Sequence, residues 1–179
     1  MRPIYAAAAL TLAFALPASA ALAPGTRAPD FSTQGAINGV VQNFRLSTLL
    51  RQGPVVLYFF PAANTAGCNA EAHAFAEALN DFKAAGATVI GMSTNDIATL
   101  RTFSVEHCAG KFPVATASQD TVRNYDVALN GNHAITSRTS YVIAPNGRVV
   151  YSFSEMRYGD HVKNTLAAVR EYQASRRRR

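Results

Sequence analysis

Residues Val55 to Phe60 form an unbroken apolar run that stops at Pro61. A run of strand length without a charge suits a β-strand covered on both faces, so the fold must place layers above and below its sheet. Small residues follow, Ala62-Ala63-Asn64-Thr65-Ala66-Gly67, and then an alanine-rich segment with helical spacing that carries Cys68 in or just before its first turn. At such a position unpaired backbone N–H groups and the positive end of the helix macrodipole favour a thiolate over a thiol. The loop is suited to hold a nucleophile.

The rest of the chain supplies the layers. Asn38-Gly39, between apolar-patterned segments 31–37 and 40–46, predicts a hairpin with a type I′ turn. A short helical turn is expected over 47–51. Phe75, Leu79 and Phe82 fall at i, i+4 and i+7, which predicts one amphipathic helix over 70–85, ended by Gly86. Residues 88–92 read as a second buried strand, Asn95 as the cap of a helix reaching about Cys108 and closed by Gly110, and 112–116 as a third strand. No element is assigned between 117 and 138. Segments 139–144 and 148–153 flank the turn Pro145-Asn146-Gly147, and Asp160 is expected to cap a last helix with Val162, Leu166 and Val169 on one face. The expected fold class is therefore α/β, a thioredoxin-like layer with a mixed central sheet, helices on both faces and an N-terminal β-hairpin. One domain over 21–175 accounts for the length.

The first twenty residues read as a removable address. Arg2 gives a positive start, 4–16 is apolar, and Pro17-Ala18-Ser19-Ala20 ends in a small-x-small cleavage site. That apolar stretch is too short to span a bilayer about 30 Å thick. Export to the periplasm with cleavage after Ala20 is expected; intact-mass measurement should find Ala21 first, and a mature protein beginning at Met1 would refute it. The net charge of +6 comes mostly from Arg176 to Arg179. Without Arg2 and that tail a single net positive charge remains, with no basic stripe, which argues against a nucleic-acid partner. The tail is expected to be a solvated, disordered end rather than a membrane contact.

Pro61, Thr65 and Cys68 meet the pattern Pro-x-x-x-Thr-x-x-Cys, with Glu71 three residues on. With Leu57-Tyr58-Phe59-Phe60 before it and Gly67 beside the cysteine, the stretch resembles the peroxiredoxins of the alkyl hydroperoxide reductase/thiol-specific antioxidant family. It looks most like their bacterioferritin comigratory protein (peroxiredoxin Q) branch. Ala66 departs from that branch, which usually has proline there, and leaves the loop less rigid. Ala28-Pro29-Asp30-Phe31 likewise looks like the opening of many peroxiredoxins.

The resemblance implies a thiol peroxidase acting on hydrogen peroxide or organic hydroperoxides without metal or organic cofactor. It also implies a thioredoxin-like electron donor and a monomer or weak dimer. Cys68 would attack one peroxide oxygen while fixed donors hold the charge that develops. The candidates are the Cys68 N–H, the Thr65 hydroxyl and Arg138, since Ser137-Arg138-Thr139-Ser140-Tyr141 resembles the family's arginine ahead of the strand beside the active site. Pro61 would shield the sulfur, and Glu71 would orient Arg138. The bland readings are a helix cap for Thr65, an exposed first-turn carboxylate for Glu71 and a surface arginine for Arg138.

Oxidised Cys68 must be resolved by another thiol. One group of the branch has it five residues on, where this chain has His73. Cys108 resembles the other arrangement, with the resolving cysteine in the following helix. On a helical wheel, however, Cys108 lies only about 20° from Ile97, which suits a core thiol and leaves a one-cysteine mechanism with an outside thiol open. Two rivals fit less well. A thioredoxin-like disulfide oxidoreductase needs a second cysteine where Glu71 stands, and a copper chaperone needs two nearby cysteines and a histidine. His73, His107, His133 and His161 have no metal-ligand spacing and read as surface or core residues.

Overall fold

The computed structural model of the chain describes residues 21–178; the expected signal segment and Arg179 lie outside them. The hairpin is β1 (Ser32–Ile37) and β2 (Val40–Arg45), and its Asn38-Gly39 turn has φ of +49° and +76°, as a type I′ turn requires. A short helix α1 (Leu46–Leu49) follows, then β3 (Val55–Phe59). The chain continues through α2 (Ala66–Glu77), α3 (Leu79–Ala84), β4 (Thr88–Ser93), α4 (Ile97–Glu106) and β5 (Val114–Thr116). Next come α5 (Gln119–Asn124), β6 (Ala128–Leu129), β7 (Asn132–Thr136), β8 (Thr139–Ile143), β9 (Val149–Ser154) and α6 (His161–Arg177). Seven strands make a mixed sheet in the order β2-β1-β5-β4-β3-β8-β9, and β6 and β7 pair apart from it.

The continuous apolar run has its explanation in β3. Val56, Tyr58 and Phe60 join one core with α2, α3, α4 and α6, while Val55, Leu57 and Phe59 join a second core with α1 and α5. Side chains alternate across a strand, so a strand buried on both faces needs apolar residues at every position. On the first face Tyr58 stacks on Phe75 with ring centroids 4.3 Å apart, and Phe60 stacks on Phe103 at 5.3 Å.

Several expectations are corrected. The helix expected over 70–85 begins at Ala66 and is broken at Ala78, whose ψ of −1° closes α2 while its carbonyl starts α3 by accepting from the N–H groups of Asp81 and Phe82. Alanine propensity cannot reveal that break. Asn95 does not cap α4; Asp96 does, accepting from the Thr99 N–H at 2.7 Å. The helix ends at Glu106, and Cys108 lies in a turn beyond it, with Ala109 and Gly110 left-handed. The third strand starts at Val114, two residues late, and Asp160 stands at the start of α6 without a side-chain cap. The arginine tail is not a disordered end as far as Arg177, because α6 runs through it and the Arg176 guanidinium lies 6.0 Å from the Tyr172 ring centre. Within 117–138, α5 is capped by Ser118, and Asn130-Gly131 turns β6 into β7 with both φ positive.

The hydrogen bond from the Thr99 N–H to Asp96 holds its carboxyl below the ordinary carboxylate range. A depressed carboxyl stabilises the fold above its unfolded value, near pH 4, and that contribution is lost as pH falls through the lower folded value. Asp96→Asn should keep the cap and flatten this acid-side loss, whereas Asp96→Ala should lower the melting temperature at neutral pH. Thermal melts between pH 2 and pH 7 check both.

Candidate active site

Strand register assembles the site. β3 runs antiparallel to β8 with Phe59 opposite Thr139, so Arg138, just ahead of β8, stands at the end of β3 from which the Cys68 loop leaves. β8 in turn pairs with β9 so that Thr139 faces Ser154, which brings residues 155 and 156 beside Arg138. The Glu155 N–H donates to the Arg138 carbonyl at 3.2 Å. Three strands thus converge on one arginine.

The loop before Cys68 is fixed from its flank. Phe60 donates its N–H to the Met92 carbonyl, and its own carbonyl accepts from the Thr136 hydroxyl at 2.6 Å. Asn95 Oδ1 accepts from the Ala63 N–H at 2.8 Å and from the Ser93 hydroxyl at 2.9 Å. Asn64 takes a left-handed φ of +63°, which asparagine tolerates, and Thr65 is extended at the N-cap position. Its hydroxyl makes no cap bond and donates to the Ala62 carbonyl at 3.0 Å, so the expected side-chain cap is absent. Thr65 is exposed and Pro61 half-buried at the mouth of the loop.

Cys68 is the third residue of α2 and is buried, 2% exposed. Arg138 Nη2 lies 3.4 Å from its Sγ. The same guanidinium donates through Nη1 to Glu71 Oε2 and through Nε to the Met156 carbonyl at 2.9 Å. Arg138 and Glu71 are both buried, which replaces the surface readings of each with a buried ion pair. Burial pushes the Glu71 carboxyl up, against the pull of Arg138. A planar, permanently charged fork held on two sides and facing a sulfur with its third can stabilise an anion on that sulfur and on an oxygen bound to it.

Cys108 shares the first core with Cys68, and both are free thiols. Cys108 is fully buried and burial pushes its thiol up. Tyr58 belongs to the same core; its hydroxyl lies against Gly91, where an added Cβ would come within 2.8 Å of it, and it makes no hydrogen bond among the described residues. Lys111 ties the Cys108 turn to the Cys68 helix by donating from Nζ to the Ala76 carbonyl at 3.2 Å. Sequence reasoning passed over Tyr58 in this core, Asn95 as a tie for the loop, and His161, whose Nδ1 lies 3.8 Å from Glu71 Oε1. Tyr58 carried a signal, a hydroxyl inside a run otherwise purely apolar; the roles of Asn95 and His161 depend on chain crossings that no local pattern records. Among the described residues no group of three or more His, Cys, Asp or Glu is placed to hold a metal, and no helix is long and apolar enough to cross a membrane.

The comparisons with known proteins point one way. A putative peroxiredoxin of Mycobacterium tuberculosis (strain ATCC 25618 / H37Rv) is 35% identical over 133 residues, covering 70% of this chain and 86% of that protein. The putative chloroplastic peroxiredoxin Q of Oryza sativa subsp. indica is 30% identical over 146 residues; the match takes in 79% of this chain and only 64% of the rice protein's length. The crystal structure of peroxidoxin BcpB from Mycobacterium tuberculosis superposes with a TM-score of 0.73 at 32% identity, covering 83% of this chain and 96% of that one. Reduced 2-Cys peroxiredoxin of Plasmodium vivax, at 20% identity and TM-score 0.77, shares the fold. Residues 24–152 match the AhpC/TSA family, a span that takes in Cys68, Glu71 and Arg138, and the chain therefore belongs to that family.

Proposed function

We propose that the chain is a thiol-dependent peroxidase that reduces hydrogen peroxide and small organic hydroperoxides through Cys68. The observation that carries this reading is the Arg138 guanidinium, 3.4 Å from the Cys68 sulfur and clamped by Glu71 and the Met156 carbonyl. In the reaction the Cys68 thiolate attacks the terminal peroxide oxygen, an S–O bond forms and the O–O bond breaks. Sulfur loses two electrons and becomes a sulfenic acid, and the departing alkoxide or hydroxide takes up a proton. Arg138 and the Cys68 backbone N–H face the oxygens as charge develops, each fixed donor contributing roughly 3 kcal/mol. Thr65, at the loop mouth, offers its hydroxyl once turned from the Ala62 carbonyl, and Pro61 limits access of water.

Cys108 is the proposed resolving thiol: its sulfur displaces the sulfenic hydroxyl as water and leaves a Cys68–Cys108 disulfide. Its place in a turn past the end of α4 supports this, because a turn opens without unwinding a whole helix. Its burial supports the one-cysteine alternative, in which an outside thiol does the same step. The donor that restores the dithiol is proposed to be a periplasmic thioredoxin-like protein. Reconstituting turnover with candidate donors tests that assignment.

Stopped-flow peroxide consumption by the mature protein, Cys68→Ser and Cys108→Ser tests the whole reading. The first fast phase is expected to vanish in Cys68→Ser and survive in Cys108→Ser, with catalytic turnover lost in the latter. Turnover kept in Cys108→Ser with an outside thiol would select the one-cysteine route. A fast phase kept in Cys68→Ser would overturn the peroxidase assignment.

A further inference from the structure

We propose that His161 is a positioning residue for Arg138, holding through its imidazole the chain segment that aims the guanidinium at Cys68. His161 opens α6 and is fully buried, with Phe153 edge-on at 4.8 Å. Its Nε2 lies 2.8 Å from the Glu155 carbonyl and its Nδ1 2.8 Å from the Ser140 hydroxyl. A carbonyl only accepts, so Nε2 carries the proton; in the neutral ring Nδ1 then accepts from Ser140. The ring therefore joins β8, at Ser140, to the chain leaving β9, at Glu155.

Arg138 stands just ahead of β8 and is held by the same short segment after β9. Glu155 grips its backbone with an N–H and Met156 its side chain with a carbonyl at 2.9 Å. The carbonyl between these two contacts is the one His161 holds. On the other side of the guanidinium, Glu71 Oε2 accepts from Arg138, while Oε1 is buried without a hydrogen bond and lies 3.8 Å from His161 Nδ1. With Nδ1 accepting from Ser140, the ring has no proton to offer Glu71, so among the described residues Arg138 alone holds that side chain, through Oε2. A space-filling role needs none of these contacts, since phenylalanine would fill the same volume without burying two polar nitrogens.

This inference rests on the reading of Cys68 as the sulfur that attacks peroxide, and the test separates the two. His161→Gln keeps an N–H donor near the Nε2 position; His161→Asn keeps an amide near Nδ1 but falls short of Glu155; His161→Phe keeps only volume. For each variant, two rates at Cys68 are compared, with hydrogen peroxide, which Arg138 grips, and with iodoacetamide, which it does not, alongside thermal melts. The peroxide-to-iodoacetamide ratio is expected to stay within about threefold in His161→Gln and to fall roughly 10- to 100-fold in His161→Asn and His161→Phe, the scale of a 1 Å misplacement. An unchanged ratio in folded His161→Phe, or an equal fall in all three variants, would overturn the inference.

A second readout needs no peroxide chemistry. The Arg138 Nε–H signal, protected from exchange by the Met156 carbonyl, should stay protected in His161→Gln and lose protection in His161→Asn and His161→Phe. If the wild type proves inert to peroxide while this pattern holds, the peroxidase reading fails and the positioning role stands. Protection kept in all three variants would overturn the positioning role whatever the activity.

Discussion

Replacing Arg138 with alanine is expected to cost about 3–5 kcal/mol of folding stability, because Glu71 is left buried without its cation. The same change should slow peroxide attack by roughly 10²- to 10³-fold through loss of a fixed donor at the developing oxyanion. The stability loss has a definite pH sense. Burial already raises the Glu71 carboxyl, and removing Arg138 leaves only that upward push. A raised carboxyl holds its proton in the folded state where the unfolded chain, near pH 4.3, has released it. The penalty is therefore smallest below that value and grows as pH rises through the folded one. Arg138→Lys should recover part of the stability but little of the rate, since an ammonium cannot reach the sulfur, the carboxylate and the Met156 carbonyl from one plane. Denaturant unfolding from pH 4 to pH 8, with stopped-flow oxidation of Cys68, measures both. Equal rates for Arg138→Ala and wild type would remove the arginine from the chemistry.

Phe75→Ala is expected to lower stability by about 3–5 kcal/mol, the usual cost of deleting a buried aromatic ring. Phe75 is fully buried and meets Tyr58 at 4.3 Å, Phe82 at 5.9 Å and Phe112 at 6.5 Å. It lies two turns beyond Cys68 on the same helix, so the cavity opens under the segment that holds the sulfur. The denaturant midpoint should fall with the m-value unchanged. A shift under 1 kcal/mol would mean that the aromatic stack closes over the gap.

What the sequence revealed was what short-range patterns encode. Alternation cannot be seen in β3, yet an apolar residue at every position pointed to a strand covered twice, and Asn38-Gly39 specified its turn through the φ values that type I′ demands. The Cys68 helix start followed from the strand, the proline and the small residues after it. The association of Arg138 with Cys68 came from resemblance, and its physical basis is the β3–β8 register, which no single segment carries. The break at Ala78 was hidden because alanine suits either side of it. Asn95 looked like a cap since caps and loop ties use the same amide, and the neighbouring Asp96 took the cap. His161 read as a surface or core histidine without a role because its partners lie on β8, on the chain after β9 and on α2. Six-residue α5 and the short β6–β7 pair fall below the length at which periodicity speaks, although Ser118 and Asn130-Gly131 marked their starts and turn.

One residue ties the loop before Cys68 to the strand beyond Cys108. The Asn95 side-chain oxygen accepts from the Ala63 N–H in the loop that feeds Cys68 and from the Ser93 hydroxyl, and its backbone carbonyl accepts from the Thr116 hydroxyl at 3.2 Å in the strand that follows Cys108. Fastened at three points, Asn95 acts as a rivet beyond the ends of the central strands β3, β4 and β5, so the loop before Cys68 cannot swing out without also pulling on the end of β5.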